Sequence, residues 1–132
     1  GNVFGVDLNR NYDGPVGTWC TVGSSSNPSS NSYCGPSPYS EPEVQAINDW
    51  IFGENGDPNI IASVDMHTFG WYILRPYGYN WSVQPPQPYQ NEYLSLSDDI
   101  SNAIFNVNGV RYQPRQDFGP TSGTMRDYPF SI

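Results

Sequence analysis

Apolar residues Val44, Ile47, Trp50 and Ile51 recur at intervals of three and four, with polar residues filling most of the positions between them. That spacing is the signature of an amphipathic helix with one face turned to a core. Ser40 and Glu43 have the form of a capping box, Pro42 suits a first turn and Gly53 supplies a stop, so the pattern predicts a helix that ends at Gly53. After the turn-rich stretch GENGDP, residues 60–66 (IIASVDM) form a short run rich in β-branched side chains. They predict a buried strand with His67 at its C-terminal end. Residues 71–74 predict a second strand that stops at RPYGYN, and the Pro-rich QPPQPYQ is read as loop. Residues 91–107 predict a second helix, with Leu94, Ile100, Ile104 and Phe105 near one face. Beyond Gly109, single Gly and Pro residues interrupt every few positions, leaving loops and one short strand. At the other end VFGVDL predicts a strand leading into Asn9 and Arg10. Strands alternating with helices make this an α/β pattern, and in such proteins functional residues collect at the carboxyl ends of strands. Asn9, Arg10 and His67 all stand at such ends in this reading, and no internal repeat is present.

Composition narrows the classes. A chain of 132 residues is the size of one domain or part of one. Thirteen acidic against five basic residues give a net charge of -8, which repels phosphate backbones and anionic membrane surfaces and argues against either as a partner. No run approaches the ~18 apolar residues of a spanning helix, and no basic-then-apolar leader opens the chain. The expectation is a soluble chain, already processed or begun internally. Cys20 and Cys34 flank a loop of Ser, Asn, Pro and Gly, where neither packing nor metal-ligand spacing accounts for them. A disulfide is the natural reading and two free thiols the alternative. Closing a loop of that size would contribute ~3 kcal/mol. NWS at residues 80–82 is a glycosylation acceptor on Asn80. Both features point to an oxidising, extracellular compartment.

Taken singly, the candidate chemical residues have bland readings. A lone histidine is more often structural than a metal ligand, and Arg10 alone is a surface cation or the partner of Asp7 or Asp13. Their combination changes the picture. GVDLNRNYD at residues 5–13, PSPYSEPEVQAI at residues 36–47 and VDMHTFGWYILRPYGY at residues 64–79 resemble, in the same order and with similar separations, three motifs of the zinc metallocarboxypeptidases of the carboxypeptidase A type. The resemblance covers most of the chain and weakens after about Pro85.

This resemblance implies an α/β fold that is part of a mixed, twisted eight-stranded sheet with helices on both faces. Residues 1–132 would be a partial catalytic domain, lacking the N-terminal zinc-ligand region and the C-terminal general-base region. The implied activity is zinc-dependent hydrolysis of the last peptide bond of a peptide or protein with a free C-terminus. Arg10 matches the residue that grips the substrate's α-carboxylate, a role suited to a planar, permanently charged fork. Asn9 matches the neutral donor beside it, and Thr68 and Phe69 fall in the substrate-binding motif. His67 matches one zinc ligand, and Asp7 the carboxylate that holds a zinc-ligating histidine in the correct tautomer. SGTMRDYPF at residues 122–130 aligns Phe130 with the tyrosine that closes over the substrate, or Tyr128 if the loop shifts by two residues. His67 is the only histidine in the sequence, and a catalytic zinc typically takes three protein ligands. The 132 residues alone are therefore expected to be inactive, with the rest of the catalytic domain as a partner. The competing expectation is a non-catalytic, carboxypeptidase-like extracellular binding or structural protein.

Overall fold

A computed structural model gives the fold and describes residues 5–15, 17–52 and 62–127. Two helices and two strands order the chain as α1 (Pro42–Phe52), β1 (Tyr72–Leu74), α2 (Tyr89–Asn108) and β2 (Gln113–Arg115). β1 and β2 pair in parallel, Tyr72 opposite Gln113 and Leu74 opposite Arg115. Parallel strands need a long crossover, and α2 supplies it while packing on both strands. The unit is mixed α/β as the pattern predicts, but the described residues form a sheet of two strands and show no eight-stranded sheet.

α2 begins two residues earlier and ends one later than the periodicity predicts, with Pro88 at its N-cap and left-handed Gly109 closing it. The face turned inward runs through Tyr93, Ser97, Ile100, Ser101 and Ile104. Ser97 and Ser101 are its buried members, whereas Leu94 and Phe105, grouped with Ile100 and Ile104 near one face in the sequence pattern, are more than 40% exposed. Small side chains let the helix approach β2 closely, and the Ser101 hydroxyl donates to the carbonyl of Tyr112 in the segment that enters β2.

α1 starts at Pro42 as predicted, the predicted stop at Gly53 lying outside the described residues, and it buries Val44 against Tyr12, with Tyr39, Ile51 and Met125 around them. The predicted capping box does not form. Ser40 Oγ donates to Glu41 Oε1 at 2.8 Å, and the Glu41 N–H, at the helix entry, donates to Asn11 Oδ1 at 3.1 Å. Asn11 is wholly buried, and its Nδ2 also donates to the carbonyls of Cys34 (2.8 Å) and Ser37 (3.0 Å) and to Ser40 Oγ (2.9 Å). One amide side chain thus ties the N-terminal segment to the disulfide loop and to the start of α1.

Two predicted strands are corrected. Residues 62–66 carry no strand, and Val64 and Met66 are 78% and 86% exposed. A strand exists through ladder pairing with a neighbour, and none of residues 62–66 is paired. Ile60, Ile61 and GENGDP lie outside the described residues, as do Val3 and Phe4 of VFGVDL. Asn9 and Arg10 do not end a strand but belong to a 3₁₀ turn, Leu8–Arg10. Asp7 causes it: its Oδ1 accepts the N–H of Asn9 (3.1 Å) and its carbonyl accepts that of Arg10 (2.9 Å), the local competition that lets Asp start a helical turn.

Cys20 and Cys34 are bonded, with their Cα atoms 5.8 Å apart. Ser122, also fully buried, seats the later loop on this one: its Oγ accepts the N–H groups of Thr21 (3.0 Å) and Val22 (3.2 Å). Without reductant, alkylation followed by mass spectrometry should modify neither cysteine. Reduction should lower the denaturation free energy by ~3 kcal/mol; an unchanged midpoint would mean the loop is held by its hydrogen bonds alone.

Candidate functional site

A cleft of about 680 Å³ opens between the Leu8–Arg10 turn and α1 on one side and residues 62–67 on the other. Leu8, Ile47, Trp50, Ile51 and Met125 make it apolar, and Asn9, Asp65 and His67 bring its polar groups. Asn9 reaches across sequence in two directions. Its Oδ1 accepts the N–H of Met125 (2.9 Å) and its Nδ2 lies 3.0 Å from His67 Nε2. The same Nε2 lies 2.8 Å from Asp65 Oδ2. Because the backbone N–H of Met125 orients the Asn9 amide, Nδ2 faces the imidazole as a donor, which suits Nε2 as a lone pair; Asp65 suits Nε2 as an N–H. The ring therefore stands between two partners that favour opposite tautomers, with 61% of the side chain open to solvent. Beside it the Tyr12 phenol is pushed up, mainly by burial and then by the negative charge of Asp65, and stays neutral.

Arg10 does not line this cleft. Its Nε donates to the carbonyl of Gly23 (2.9 Å), Nη1 donates to that of Asn9 (2.6 Å), and Nε is 3.9 Å from Asp7 Oδ2. The turn at residues 123–127 meets Arg10 at its backbone. A Cβ at Gly123, whose φ is +71°, would overlap the carbonyl oxygen of Arg10. That position demands glycine on both counts.

In this turn Asp127 is 1% exposed and accepts the N–H of Gly78 at Oδ1 (2.7 Å) and that of Tyr79 at Oδ2 (2.9 Å). Its neighbour Arg126 has Nε 3.8 Å from Asp127 Oδ1. Burial pushes the Asp127 carboxyl up and the Arg126 guanidinium down, so desolvation outweighs what the two charges gain from each other.

Thr68 and Phe69 are exposed. Phe69, fully exposed, lines a separate hollow with Trp71, Tyr72, Arg111 and Phe118 at the β1–β2 edge. Asn80 is exposed in a turn, its Oδ1 accepting the N–H of Ser82 (2.9 Å). Tyr128 and Phe130 lie outside the described residues. Of the residues singled out in the sequence, the fold joins Asn9 to His67 and sets Asp7 against Arg10. Asn11, Asp65, Arg126 and Asp127 were missed. Asn11, Arg126 and Asp127 are polar residues in irregular segments, where no periodicity marks burial, and Asp65 is an exposed residue that the pattern assigned to a strand. No group of three or more His, Cys, Asp or Glu side chains among the described residues can hold a metal ion. The donor set at His67 fits one arm of a zinc site and not a whole one.

The model of the zinc carboxypeptidase family matches residues 1–131. The chain is 35% identical over 135 residues to bovine carboxypeptidase O, which covers all of this chain and 34% of that protein. It is 38% identical over 122 residues to human carboxypeptidase A5, covering 92% of this chain and 25% of that one. Among solved structures it is similar to bovine thrombin-activatable fibrinolysis inhibitor in complex with tick carboxypeptidase inhibitor, with a TM-score of 0.80 and 29% identity over 96% of this chain and 42% of that one. The chain spans about a third or less of the length of these curated relatives.

Proposed function

The chain belongs to the zinc carboxypeptidase family, and from that membership we propose that its protein removes the C-terminal residue of peptides or proteins, with this segment supplying the carboxylate grip and one zinc ligand. One observation carries the reading: two motifs 58 residues apart meet where Asn9 Nδ2 stands 3.0 Å from His67 Nε2. Arg10, the neighbour of Asn9, holds the terminal carboxylate through N–H groups not spent on the carbonyls of Gly23 and Asn9. Asp65, accepting the Nε2–H, orients the His67 ring, which contributes its Nδ1 lone pair to the metal. Asp7 braces Arg10 from 3.9 Å. Zinc, when bound, polarises the scissile carbonyl and activates water. The remaining ligands and the general base belong to the length of the relatives that this chain does not span. Thr68, Phe69 and whichever of Phe130 and Tyr128 closes the site complete the substrate contacts in this proposal. The disulfide and an exposed sequon at Asn80 support a secreted glycoprotein.

The test uses the complete protein. It should retain stoichiometric zinc after dialysis and release the last residue from a peptide acid at least ~100-fold faster than from the same peptide amidated, because the amide lacks the charge that Arg10 binds. The isolated 132 residues should do neither. A complete protein that retains no zinc and releases nothing from either peptide would instead be the non-catalytic relative.

A further inference from the structure

Residues 20–34 carry no helix and no named strand, yet they frame the turn that holds Arg10. The Asp7 N–H donates to the carbonyl of Tyr33 (2.8 Å), Arg10 Nε to that of Gly23 (2.9 Å), and Asn11 Nδ2 to that of Cys34 (2.8 Å). Of these bonds, the one to Gly23 reaches the guanidinium. The others hold the two ends of the Leu8–Arg10 turn against Tyr33 and Cys34.

Gly23 stands in an arch, residues 20–25, that is fixed to Cys34 at both ends. The disulfide joins Cys20 to Cys34, and the carbonyl of Ser25 accepts the Cys34 N–H (3.0 Å). Between those ends, Ser122 Oγ pins the arch through the N–H groups of Thr21 and Val22. Gly23 has a φ of +62°, and a Cβ there would stand 2.4 Å from the carbonyl oxygen of Pro120. The residue that presents its carbonyl to Arg10 must therefore be glycine. With Nε on Gly23 and Nη1 on the carbonyl of Asn9, two of a guanidinium's five donors fix its plane and the others remain for a ligand.

We propose that Gly23 and the Cys20–Cys34 cross-link are positioning residues for the carboxylate grip: the arch sets the plane and reach of Arg10, and with them the preference for a free C-terminal carboxylate. The inference rests on the carboxypeptidase reading above and concerns the alignment of that site. A bidentate pair needs the fork to face the carboxylate, and a misplacement of about 1 Å can cost ~100-fold in rate. Without the arch the guanidinium keeps its charge and loses its aim. The metal ligand is spared, since no residue of the arch lines the cleft that holds His67.

In the complete protein, Cys20→Ala with Cys34→Ala should lower the ratio of kcat/KM on a peptide acid to that on the same peptide amidated by ~tenfold or more, with zinc content unchanged. Ser122→Ala, which loosens the same arch and leaves the cysteines in place, should lower the ratio in the same direction. A loss of stability alone would slow both peptides alike and leave the ratio unmoved. In an Arg10→Ala background the ratio should not fall further when the cross-link is removed, because both changes act on one interaction. Calorimetry supplies a readout independent of turnover: the wild-type protein should bind N-acetylleucine ~tenfold more tightly than N-acetylleucinamide, and the cross-link variant should bind the two nearly alike. A cross-link variant that keeps the wild-type acid preference in both measurements overturns the positioning role and leaves the carboxypeptidase reading standing. A wild-type protein that treats acid and amide alike overturns that reading, and the positioning role falls with it. Should the double variant fail to fold, Ser122→Ala and Gly23→Ala decide: an unchanged ratio in either refutes the arch.

Discussion

Replacing Asn11 by alanine should lower the stability of the complete protein by about 3 to 5 kcal/mol, enough to threaten folding in a domain whose whole margin is about 5 to 15 kcal/mol. Four hydrogen bonds converge on this one side chain: three from Nδ2, to the carbonyls of Cys34 and Ser37 and to Ser40 Oγ, and one accepted at Oδ1 from the Glu41 N–H. Alanine leaves two carbonyls and a helix-entry N–H without their partner in a place where Asn11 itself has no exposed surface. Asn11→Asp keeps the acceptor for Glu41 but turns a carboxylate towards two carbonyl oxygens, so it should be no milder. Val107→Ala, at a position 88% exposed, is the control and should stay within ~0.5 kcal/mol. Urea denaturation of the three variants is the measurement. A loss below 1 kcal/mol for Asn11→Ala would mean that water or rearranged backbone replaces the amide.

Arg10→Ala should reduce kcat/KM on peptides with a free C-terminus by roughly two to three orders of magnitude, the consequence of removing one partner of a desolvated, charge-assisted pair worth about 2 to 5 kcal/mol. Zinc content should stay the same, because Arg10 does not line the cleft that holds His67. The structure also offers Arg10 a purely structural role, in which it clips the carbonyls of Gly23 and Asn9 together, while its ion pair with Asp7, at 3.9 Å and partly exposed, contributes no more than ~1 kcal/mol. The two roles separate in the ratio of acid to amide substrate. Loss of the carboxylate grip reduces that ratio towards one. Loss of a clip lowers the melting temperature and slows both substrates alike, which would remove Arg10 as the substrate anchor.

How much of this was legible in the sequence depends on how local its cause was. The α1 helix could be read because the Pro at its start and the spacing of Val44, Ile47 and Ile51 act within a dozen residues. β1 and β2 were legible as a short apolar run and as an interruption among Gly and Pro residues, and the disulfide as two cysteines with no other role. The family motifs carried the candidate site, since GVDLNRNYD and the stretch around His67 can be recognised without knowing how they lie in space.

Tertiary structure alone decided the rest. Whether residues 62–66 make a strand depends on a neighbour to pair with, which β-branched composition cannot supply. Ser97 and Ser101 are buried on α2 because the helix must come close to β2, a demand set by the partner surface, while hydropathy pointed to Leu94 and Phe105. Asn11 resembles any loop asparagine until Cys34, Ser37, Ser40 and Glu41 are folded around it. Arg126 resembles a surface cation until Gly78 gives it a bed and Asp127 is found to be engaged elsewhere. Helices and turns are written into short windows of sequence because their hydrogen bonds close within four residues. Burial, polar satisfaction and the meeting of Asn9 with His67 depend on contacts between residues tens of positions apart, and only the folded chain brings them together.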